Sequence, residues 1–513
     1  MQQSKPESGK RENILIFMTD QQRGDTVGCA PDAALNPALR AITPNIDRFA
    51  EDSVSFTSSH TVAPHCCPSR ATFFTGLYPS EHNVWNNVNT SSALSRGPNP
   101  NVRFFSQMLQ EAGYENHYFG KWHVSDIERP GDKGFAFDQA SDVISGYPVL
   151  DNGERDYSRK EVYEWELFYS GRQVNRELPG TVHRPGYPDF VLYGNNEDPF
   201  LDGKVTDQAI GKIGELKSSD QPWCMFVGPQ GPHDPYHVPE EFLALYPLEN
   251  IELPVSFHDA MKDKPNLYRK SRRAFEQLSE DDHKRAIQHY LAFCSYEDYL
   301  FGELLDSLKV SGLDRNTTVI YLSDHGDYAG DHGLWCKGLP SFRGAYSIPL
   351  IIKSPGCSLH GGTKCDALVS MADLAPTILE TAGLEPLTEM SGYSLMPWLQ
   401  KRTTEKEFPW REFLFTQTNG NEIYGNQRMI FNHQEKYVYN GFDFDEYYNL
   451  EQDPDELINL AHPDYSGPDK LSGERRRSLF KRIWTFAREH NDGQVAAYIL
   501  TGLADFGPGV IND

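Results

Sequence analysis

Short apolar runs recur along the chain, and stretches with helical periodicity separate them. Apolar runs bounded by polar turn residues are typical of strands that are buried on both faces of a parallel sheet. Five such runs predict strands, at residues 14–18, 114–119, 223–227, 318–322 and 348–352. Helical patterns lie between them, at residues 101–112, 282–309 and 371–382. This alternation predicts an α/β fold with a mostly parallel central sheet flanked by helices.

The C-terminal part of the chain has a different pattern. Its short apolar segments predict an antiparallel meander at residues 413–416, 428–432 and 435–439, followed by a turn-rich segment that begins at 446–450 and by an arginine-rich helix at 474–489. We therefore divide the chain into a large α/β domain, residues 1–395, and a smaller α+β subdomain, residues 396–513. The tail, GLADFGPGVIND, is expected to cover either the site mouth or a neighbouring subunit of a homo-oligomer.

The chain has 513 residues and a formal net charge of −25. This charge argues against a nucleic-acid-binding protein whose affinity rests on neutralising phosphates. An anionic substrate would need a local basic site, and such a site can act because repulsion from distant charges is screened beyond ~8 Å at physiological salt. The composition therefore leaves small anions open as substrates, provided that basic side chains converge somewhere.

The sequence predicts a protein without a membrane-spanning segment or a disulfide framework. No stretch approaches the ~20 consecutive apolar residues of a membrane helix. The polar N-terminus leads into a short apolar run without a cleavage site behind it, so no signal peptide is predicted. The eight cysteines are scattered and form no CxxC pair, which favours reduced thiols. We therefore expect the chain in the cytoplasm.

Polar side chains follow four of the predicted strands, at the point where each strand ends. They are Asp20 and Gln21, then Lys121 and His123, then His233, and finally Asp324 and His325. The carboxyl ends of parallel strands meet at one edge of a sheet, where open α/β sheets bind their ligands. Each residue alone is typical of a loop or a helix cap, but together they indicate a site.

The stretch APHCCPSRATFFTG, residues 63–76, places two adjacent cysteines before a proline, a serine and an arginine. Pro68 and Ser69 are favourable at the start of a helix. Cys66 is therefore predicted at a helix N-terminus, where the helix dipole and Arg70 would lower the pKa of its thiol. The local pattern favours a reactive or modified Cys66, but a metal ligand or a buried thiol stays open.

The motif C-x-P-S-R with its trailing T-G resembles the signature of the type I, formylglycine-dependent sulfatases of the alkaline phosphatase superfamily. Further segments resemble that family in the same order along the chain: TPNIDRFAEDSVSFTSSH, GKWH, SDHGDYAGDHGLWCKG, VSMADLAPTILETAG and YYNLEQDPDELINLA. The resemblance spans most of the chain. It implies an alkaline-phosphatase-like sheet, which agrees with the fold predicted from the apolar pattern.

The resemblance also implies a modified residue and a metal. Cys66 would be converted to formylglycine (3-oxoalanine) by a formylglycine-generating enzyme, whereas Cys67 would stay a small buried thiol. One divalent metal would be bound by the hydrate of Cys66 together with Asp20, Gln21, Asp324 and His325. Oxygen ligands suit Ca²⁺, and the single imidazole makes Mn²⁺ the alternative.

The remaining matched residues are cationic or can transfer protons. Arg70 would orient the aldehyde hydrate, and the sulfate would be surrounded by Lys121, His123, His233 and Lys337. Converging cations of this kind stabilise a tetrahedral anion and its charged transition state. Asn87 is included as a substrate contact, because phosphonate monoester hydrolases and choline sulfatases have an active-site asparagine at a similar spacing.

The implied activity is hydrolysis of a sulfate monoester of a small aryl or carbohydrate alcohol. One hydroxyl of the aldehyde hydrate would attack sulfur while Lys337 or His233 protonates the alcohol, and His123 would deprotonate the second hydroxyl to expel sulfate. Phosphonate monoester or phosphodiester hydrolysis is the alternative. Those enzymes typically lack the lysine and histidine of GKWH, which are present here as Lys121 and His123. A non-catalytic binding protein is disfavoured because every expected catalytic position is filled.

Two features leave alternatives open. The triplet at 331–333 repeats the Asp-His-Gly of 324–326, but only the first triplet directly follows a predicted strand, so the second is expected to stabilise a loop. Aromatic and basic loops at 147–169 and 268–273 predict either an acceptor pocket for a sugar or a solvated basic patch.

Overall fold

The structure, a computed structural model, describes residues 11–30, 37–90, 92–140, 178–184, 187–355, 362–400, 410–421 and 423–497. The predicted loop at 147–169 and the tail at 502–513 lie outside these residues. Within the described part, no helix combines the length and the apolar character that crossing a membrane requires.

The central sheet has eight strands. In chain order, its members are β1 (Asn13–Thr19), β2 (Val54–His60), β3 (Glu115–Gly120), β4 (Phe137–Ala140), β8 (Trp223–Gly228), β10 (Thr317–Ser323), β11 (Leu350–Lys353) and β12 (Thr363–Ser370). Their order across the sheet is β12-β2-β11-β10-β1-β8-β3-β4. Two small pairs lie outside it, made by β5 (Thr181–Arg184) with β6 (Tyr187–Val191) and by β7 (Tyr193–Asn195) with β9 (Tyr236–Val238).

The sheet is mostly parallel, as predicted. Strand β1 pairs in parallel with β10 and β8, and β3 pairs in parallel with β8 and β4. The prediction of a parallel strand at 348–352 is wrong in direction, since β11 is antiparallel to both β10 and β2. Residues 324–349 stay at the edge where β10 ends, so the next strand starts there and runs back. An apolar run that is buried on both faces carries no signal for that direction.

Helices cover both faces of the central sheet. The longer ones are α1 (Pro44–Ala50), α2 (Cys66–Thr75), α4 (Phe105–Glu111), α5 (Asp202–Leu216), α7 (Asn266–Arg272), α8 (Glu280–Ser311) and α10 (Leu374–Thr381). Single turns of helix are α3 (Pro79–His82), α6 (Glu240–Leu243), α9 (Arg343–Tyr346) and α11 (Met396–Leu399). Alternate residues of β1 enter opposite cores: Phe17 packs with residues of α5 and α8, whereas Ile16 packs with residues of α2, α4 and α10. Burial on both faces explains the continuous apolar runs.

The C-terminal part forms the predicted antiparallel sheet. Its strands are β13 (Leu414–Gly420), β14 (Tyr424–Phe431), β15 (Glu435–Asn440) and β16 (Glu446–Asn449), paired in that order. Helix α12 (Gly473–Glu489) packs on one face, and the single turn α13 (Gly493–Ala496) follows it. On the side of the large domain, the buried Tyr268 hydroxyl donates to Glu446 at 2.5 Å. The boundary between residues 395 and 396 stays a prediction.

Candidate active site

Neighbouring strand ends bring two acidic segments together. The last residues of β1 and β10, Thr19 and Ser323, are register partners. Asp20 and Asp324 therefore start the adjacent loops at the same edge of the sheet, and both are completely buried. The backbone N–H of Gln21, which has a positive φ of 70°, donates to Asp324 Oδ1 at 3.1 Å. This bond fixes one loop against the other.

A close backbone approach brings Lys121 to the same edge. Gly120 and Gly228 end the parallel strands β3 and β8, and the Lys121 N–H donates to the Gly228 carbonyl at 2.8 Å. A Cβ atom on Gly120 would lie 2.1 Å from that carbonyl oxygen, and its φ of 91° disfavours other residues. The glycine thus lets the chain turn at once, and Lys121 Nζ reaches Asp20 Oδ2 at 2.7 Å.

Cys66 begins α2, as the sequence predicted. The helix is buried along its whole length, and the N–H of Ser69 donates to the carbonyl of His65, which precedes the first turn. The aligned peptide dipoles of the helix place its positive pole at this end. Cys66 Sγ lies 3.2 Å from His325 Nε2 and 3.8 Å from both Asp20 Oδ1 and Lys121 Nζ. The thiol therefore stands where the strand ends converge.

Four side chains form a buried cluster with the chemistry of a metal site. Ligand atoms of Asp20, Cys66, Asp324 and His325 all lie within 4.8 Å of one another. The Nδ1–H of His325 donates to the Gly326 carbonyl at 2.8 Å, which leaves Nε2 with its lone pair directed at the cluster. Anchoring one ring nitrogen in this way is the usual arrangement of a metal-binding histidine. Two carboxylates and one imidazole therefore fit a divalent cation.

Arg70 ties the two carboxylates together beneath the cluster. Its fully buried guanidinium donates to Asp20 Oδ2 at 3.1 Å, to Asp324 Oδ2 at 2.8 Å and to the Lys121 carbonyl at 2.9 Å. These bonds leave each carboxylate its other oxygen, which is the one close to Cys66 or His325. Arg70 thus fixes the rotamers of both acids while their remaining oxygens stay directed at the cluster.

The charges around Cys66 favour its ionised form. Burial opposes ionisation, but Lys121, Lys337 and His325 lower the pKa of the thiol well below its ordinary value. Burial and the thiolate oppose the ionisation of Asp20 as well, and Lys121 with His233 and Arg70 holds the pKa of that carboxyl far below its usual range. For Asp324, burial and the nearby Asp20 raise the pKa. The site therefore has an excess of cations directed at the Cys66 position.

Lys337 and His233 lie together on the other side of Gln21. Lys337 Nζ is 2.6 Å from His233 Nε2 and donates to Gln21 Oε1 at 2.5 Å. The Nδ1–H of His233 donates to the Asp234 carbonyl, so Nε2 accepts from the ammonium. Gln21 Nε2 donates to Asp234 at 3.0 Å and to Asp327 at 2.5 Å. The amide thus links both loops, and its role as a metal ligand stays a prediction.

His123 and Asn87 border the cluster on the side of α2. His123 has a positive φ of 43°, and its Nε2 lies 2.9 Å from Asn89 Oδ1. Burial disfavours its charged form, but the thiols of Cys67 and Cys66 raise its pKa to about 10. Asn87 Oδ1 accepts the N–H of Cys67 at 3.3 Å. The asparagine is thus placed at the first turn of α2, and its contact with substrate stays a prediction.

Sequence reasoning missed several residues that support this site. Asn89 holds His123, and Asp327 accepts from Gln21 and from the buried Tyr236 hydroxyl at 2.5 Å. Asn421, in the turn after β13, accepts the N–H of Asn87 at 3.1 Å. The asparagine-rich WNNVN stretch and the aspartate three positions after Asp324 were available signals for the first two. Asn421 has no such signal, because only the packing of the C-terminal antiparallel sheet near α2 brings it here.

Comparison with known proteins agrees with this geometry. The family model described as "Sulfatase" matches residues 12–384, well over half of the chain. A second model, "N-sulphoglucosamine sulphohydrolase, C-terminal", matches residues 330–471. The first match contains every predicted site residue, and the second spans the antiparallel sheet and its connection to the site.

Individual relatives and solved structures match most of this chain. The chain is 29% identical over 460 residues to the uncharacterized sulfatase YidJ of Escherichia coli, covering 88% of this chain and 83% of the relative. It is 28% identical over 483 residues to a choline-sulfatase of Rhizobium meliloti, covering 92% and 87%. The phosphonate monoester hydrolase of Agrobacterium radiobacter shares the fold, with a TM-score of 0.71, 21% identity and coverage of 94% and 96%. The chain therefore belongs to the sulfatase family, within the alkaline phosphatase superfamily, and is a sulfuric ester hydrolase.

Proposed function

We propose that this sulfatase cleaves the sulfate monoester of a small aryl or carbohydrate alcohol, with Cys66 as formylglycine and with the residues described above as its active site. The observation that carries the proposal is the position of Cys66. It starts a buried helix, and Asp20, His325 and Lys121 all lie within 3.8 Å of its sulfur. The thiol sulfur stands where the oxygens of the aldehyde hydrate would be.

The donor set supports one divalent cation. Asp20, Asp324 and His325 would hold it, with an oxygen of the Cys66 hydrate, and the bound ion would neutralise the charge of the sulfate group. The carboxylate oxygens favour Ca²⁺, and the imidazole keeps Mn²⁺ as the alternative. Gln21 Oε1 now accepts a hydrogen bond from Lys337 Nζ at 2.5 Å. Gln21 would therefore become a metal ligand only if this hydrogen bond is broken.

The basic residues supply binding and orientation. Lys121 and Lys337 carry charges that a sulfate's peripheral oxygens would meet, which local capture requires in a chain of net charge −25. Arg70 holds Asp20 and Asp324 in place and touches the turn that carries Lys121. The hydrated aldehyde at position 66 would supply two hydroxyls, one to attack sulfur and one to release the sulfate afterwards.

Proton transfer falls to residues on opposite sides of Cys66. On one side, the Lys337 ammonium donates to His233 Nε2, so this pair holds a proton that can pass to the departing alcohol oxygen. On the other, buried His123 Nδ1 has no hydrogen-bond partner among the described residues. To accept the proton of the second hydroxyl, that nitrogen has to be unprotonated, and conversion of Cys66 removes one of the two thiols that raise the pKa of His123. The predicted split between a general acid and a general base therefore suits these positions.

Sulfate is favoured over phosphonate as the substrate group. Two residues distinguish the two activities, Lys121 and His123, which phosphonate monoester hydrolases typically replace with uncharged residues. Here Lys121 is fully engaged with Asp20 at 2.7 Å and lies 3.8 Å from Cys66, so its charge is part of the site. The fold shared with a phosphonate monoester hydrolase fits a related member of the superfamily.

We also propose a cytoplasmic location and a small substrate. No disulfide joins the seven cysteines in the described part of the chain, which suits a reducing compartment. The choline-sulfatase among the relatives acts, by its name, on a small sulfate ester. Recovery of the native protein with an exported fraction of its source cells would contradict this location.

The test combines mass analysis with kinetics. The peptide that contains Cys66 should show the mass loss expected when an aldehyde replaces the thiol, in enzyme co-expressed with a formylglycine-generating enzyme. Hydrolysis of an aryl sulfate should exceed that of a phenyl phosphonate ester, and Cys66→Ala should abolish both. Cys67→Ser is the matched control and should retain activity within about threefold. Full turnover by Cys66→Ala, or by enzyme with an unmodified Cys66, would overturn the proposal.

A further inference from the structure

A pair of buried carboxyl groups lies behind the loop that carries His233. The loop, residues 229–235, connects β8 to β9, and its contacts reach both sides of the site. The Gly231 carbonyl accepts the N–H of Asp20 at 3.0 Å, and the His233 N–H donates to the Gln230 carbonyl at 3.0 Å. Whatever fixes Gln230 and Gly231 therefore sets the position of His233 relative to Asp20.

Asp202 is the anchor of this loop. It is the first residue of α5 and is 1% exposed. Its Oδ1 accepts the N–H of Gln230 and its Oδ2 accepts the N–H of Gly231, each at 2.8 Å. Both oxygens are thus used to hold the two peptide groups next to His233. Just before Asp202, Phe200 makes an edge contact with the His233 ring, with 6.3 Å between ring centroids.

Glu297, which lies on α8, contacts the same loop. Its side chain is 0% exposed, and its carboxyl oxygens have no donor among the described residues apart from the carboxyl group of Asp202, with which Glu297 forms a hydrogen bond when one of the two is protonated. A Cβ atom on Gly231 would lie 2.1 Å from Glu297 Oε1, so residue 231 has to be glycine for the carboxyl group to lie here. Two acidic side chains therefore contact Gly231. Asp202 accepts the N–H of this glycine, and the Glu297 carboxyl group lies against its Cα.

This pair is not neutralised by a basic side chain. No ion pair involves Asp202 or Glu297 in the part of the chain that the structure describes. The titratable groups that face the pair are another carboxyl, Asp198, and the weak acids Cys294, Tyr296 and Tyr321. Two adjacent anions without a counter-charge in a buried site are strongly disfavoured, so the pair has to retain a proton.

The direction of both pKa shifts agrees with one retained proton. Burial, together with the charge of Asp198, raises the pKa of Asp202 to about 7, although the two backbone N–H groups favour its ionised form. Burial and the adjacent Asp202 raise the pKa of Glu297 well above its ordinary value. Asp202 is therefore the better acceptor of backbone N–H groups, and Glu297 is the better place for the proton.

We propose that Asp202 and Glu297 share one proton and together position the His233 loop of the active site. Asp202 holds the peptides of Gln230 and Gly231, and neutral Glu297 lets this anion stay buried. Neither carboxyl touches the reacting atoms, so both are positioning residues. Their effect on the reaction passes through His233 and through the backbone N–H of Asp20.

The decisive variant is Asp202→Asn, measured with Cys66-converted, metal-loaded enzyme and an aryl sulfate. An amide has only one acceptor oxygen, so one of the two backbone N–H groups loses its partner and the loop shifts. We expect kcat to fall by about 10- to 100-fold, since a displacement of ~1 Å has effects of this size, while KM changes by less than about threefold. A kcat within twofold of the wild type would overturn the proposal.

Asp298→Asn is the matched control. Asp298 is the next residue on α8, is 2% exposed, and likewise accepts backbone N–H groups, from Asn45 and Ile46 at the start of α1. Its loss should lower the Tm in the same way but leave kcat within twofold, because α1 carries no site residue. An equal loss of kcat in both variants would show that general destabilisation, and not the loop, is responsible.

Glu297 provides a second, independent test. Glu297→Gln mimics the neutral acid and should keep kcat within about threefold, whereas Glu297→Leu, of similar size but without polar atoms, should lose at least tenfold. The infrared spectrum of the wild type at neutral pH should contain a carbonyl band of a protonated carboxylic acid that Glu297→Gln lacks. A Glu297→Gln variant that fails to fold, loses more than tenfold activity or leaves that band unchanged would overturn the shared proton.

Discussion

The triplet Asp-His-Gly occurs twice, at 324–326 and at 331–333, and the two copies have different surroundings. In both, the aspartate pairs with a buried arginine: Asp324 with Arg70 at 2.8 Å, and Asp331 with Arg23 at 2.6 Å. The difference lies in what else the arginine holds. Arg70 also holds Asp20 of the cluster, whereas Arg23 also holds Asp25. The first aspartate thus belongs to a pair of carboxylates that faces Cys66, and the second belongs to a structural network.

The histidines of the two triplets diverge in the same way. His325 donates its Nδ1–H to the Gly326 carbonyl and directs Nε2 at Cys66. His332 donates its Nδ1–H to the Asp259 carboxylate at 2.8 Å, and its ring stacks on Phe342 with 3.5 Å between the ring centroids. The first triplet directly follows β10, and the second forms a tight turn in which His332 has a φ of 52°. The chemistry of the triplet is therefore decided by the sheet edge and not by the residues themselves.

The largest expected difference is between Asp324→Asn and Asp331→Asn. Asp324→Asn removes one cluster charge and weakens one of the three hydrogen bonds that Arg70 donates, so we expect kcat/KM for an aryl sulfate to fall by at least about 10³-fold. Asp331→Asn should change kcat/KM by less than threefold and lower the free energy of unfolding by about 1–3 kcal/mol, because Arg23 stays buried with Asp25 alone. Steady-state kinetics and urea unfolding measure both, after the formylglycine content of each variant has been matched.

A fall in kcat/KM of similar size in both variants would contradict the distinction between the two triplets. It would mean that the Arg23 network supports the site as closely as Arg70 does. Near-normal activity of Asp324→Asn would instead remove Asp324 from the set of proposed metal ligands, while leaving the family assignment of the chain intact.

The next prediction concerns metal binding and compares His325→Ala with His332→Ala. Loss of Nε2 from the cluster should raise the concentration of Ca²⁺ or Mn²⁺ needed for half-maximal activity by at least about 10-fold. His332→Ala should leave that concentration unchanged and cost about 1–3 kcal/mol of unfolding free energy, through the lost bond to Asp259 and the lost stacking. Metal titration of chelator-treated enzyme is the measurement. An unchanged titration in His325→Ala would contradict a ligand role for that residue.

Much of the fold followed from the apolar pattern, because residues buried on both sides leave a continuous signal. All five predicted runs overlap strands of the central sheet. The three strands without a prediction, β2, β4 and β12, contain several polar residues, as in Val54–His60 with the sequence VSFTSSH. Their place in the sheet depends on pairing with distant segments, which local periodicity does not encode. The antiparallel direction of β11 was not predictable for the same reason.

The site was predictable to the extent that its residues follow strands directly or belong to a motif. Asp20, Asp324, His325 and Cys66 were predicted in this way, and the structure brings their ligand atoms within 4.8 Å of one another. The positions of Asn89, Asp202 and Glu297 were not predictable. Each acts on a residue far away in the chain, so only the packed structure identifies what it holds.

The smallest expected effect comes from Asp259→Asn, which leaves the second triplet intact and removes only its partner. Burial opposes the ionisation of Asp259, but the hydrogen bond from His332 and the charge of Lys264 lower its pKa. A carboxyl whose pKa is lower in the folded chain stabilises the fold above its unfolded pKa, and this contribution is lost as the pH falls through the folded pKa. We therefore expect a deficit of about 1 kcal/mol in unfolding free energy at pH 7.

That deficit should shrink as the pH falls from about 4, where the carboxyl becomes protonated in the unfolded chain, through the lower pKa of the folded chain. The measurement is urea unfolding of wild type and variant between pH 7 and pH 3, with kcat/KM at neutral pH as the control for the site. A deficit of the same size across this range would contradict a charge-assisted bond between Asp259 and His332. A change in kcat/KM would contradict the separation of the two triplets, because it would connect the structural copy to the cluster around Cys66.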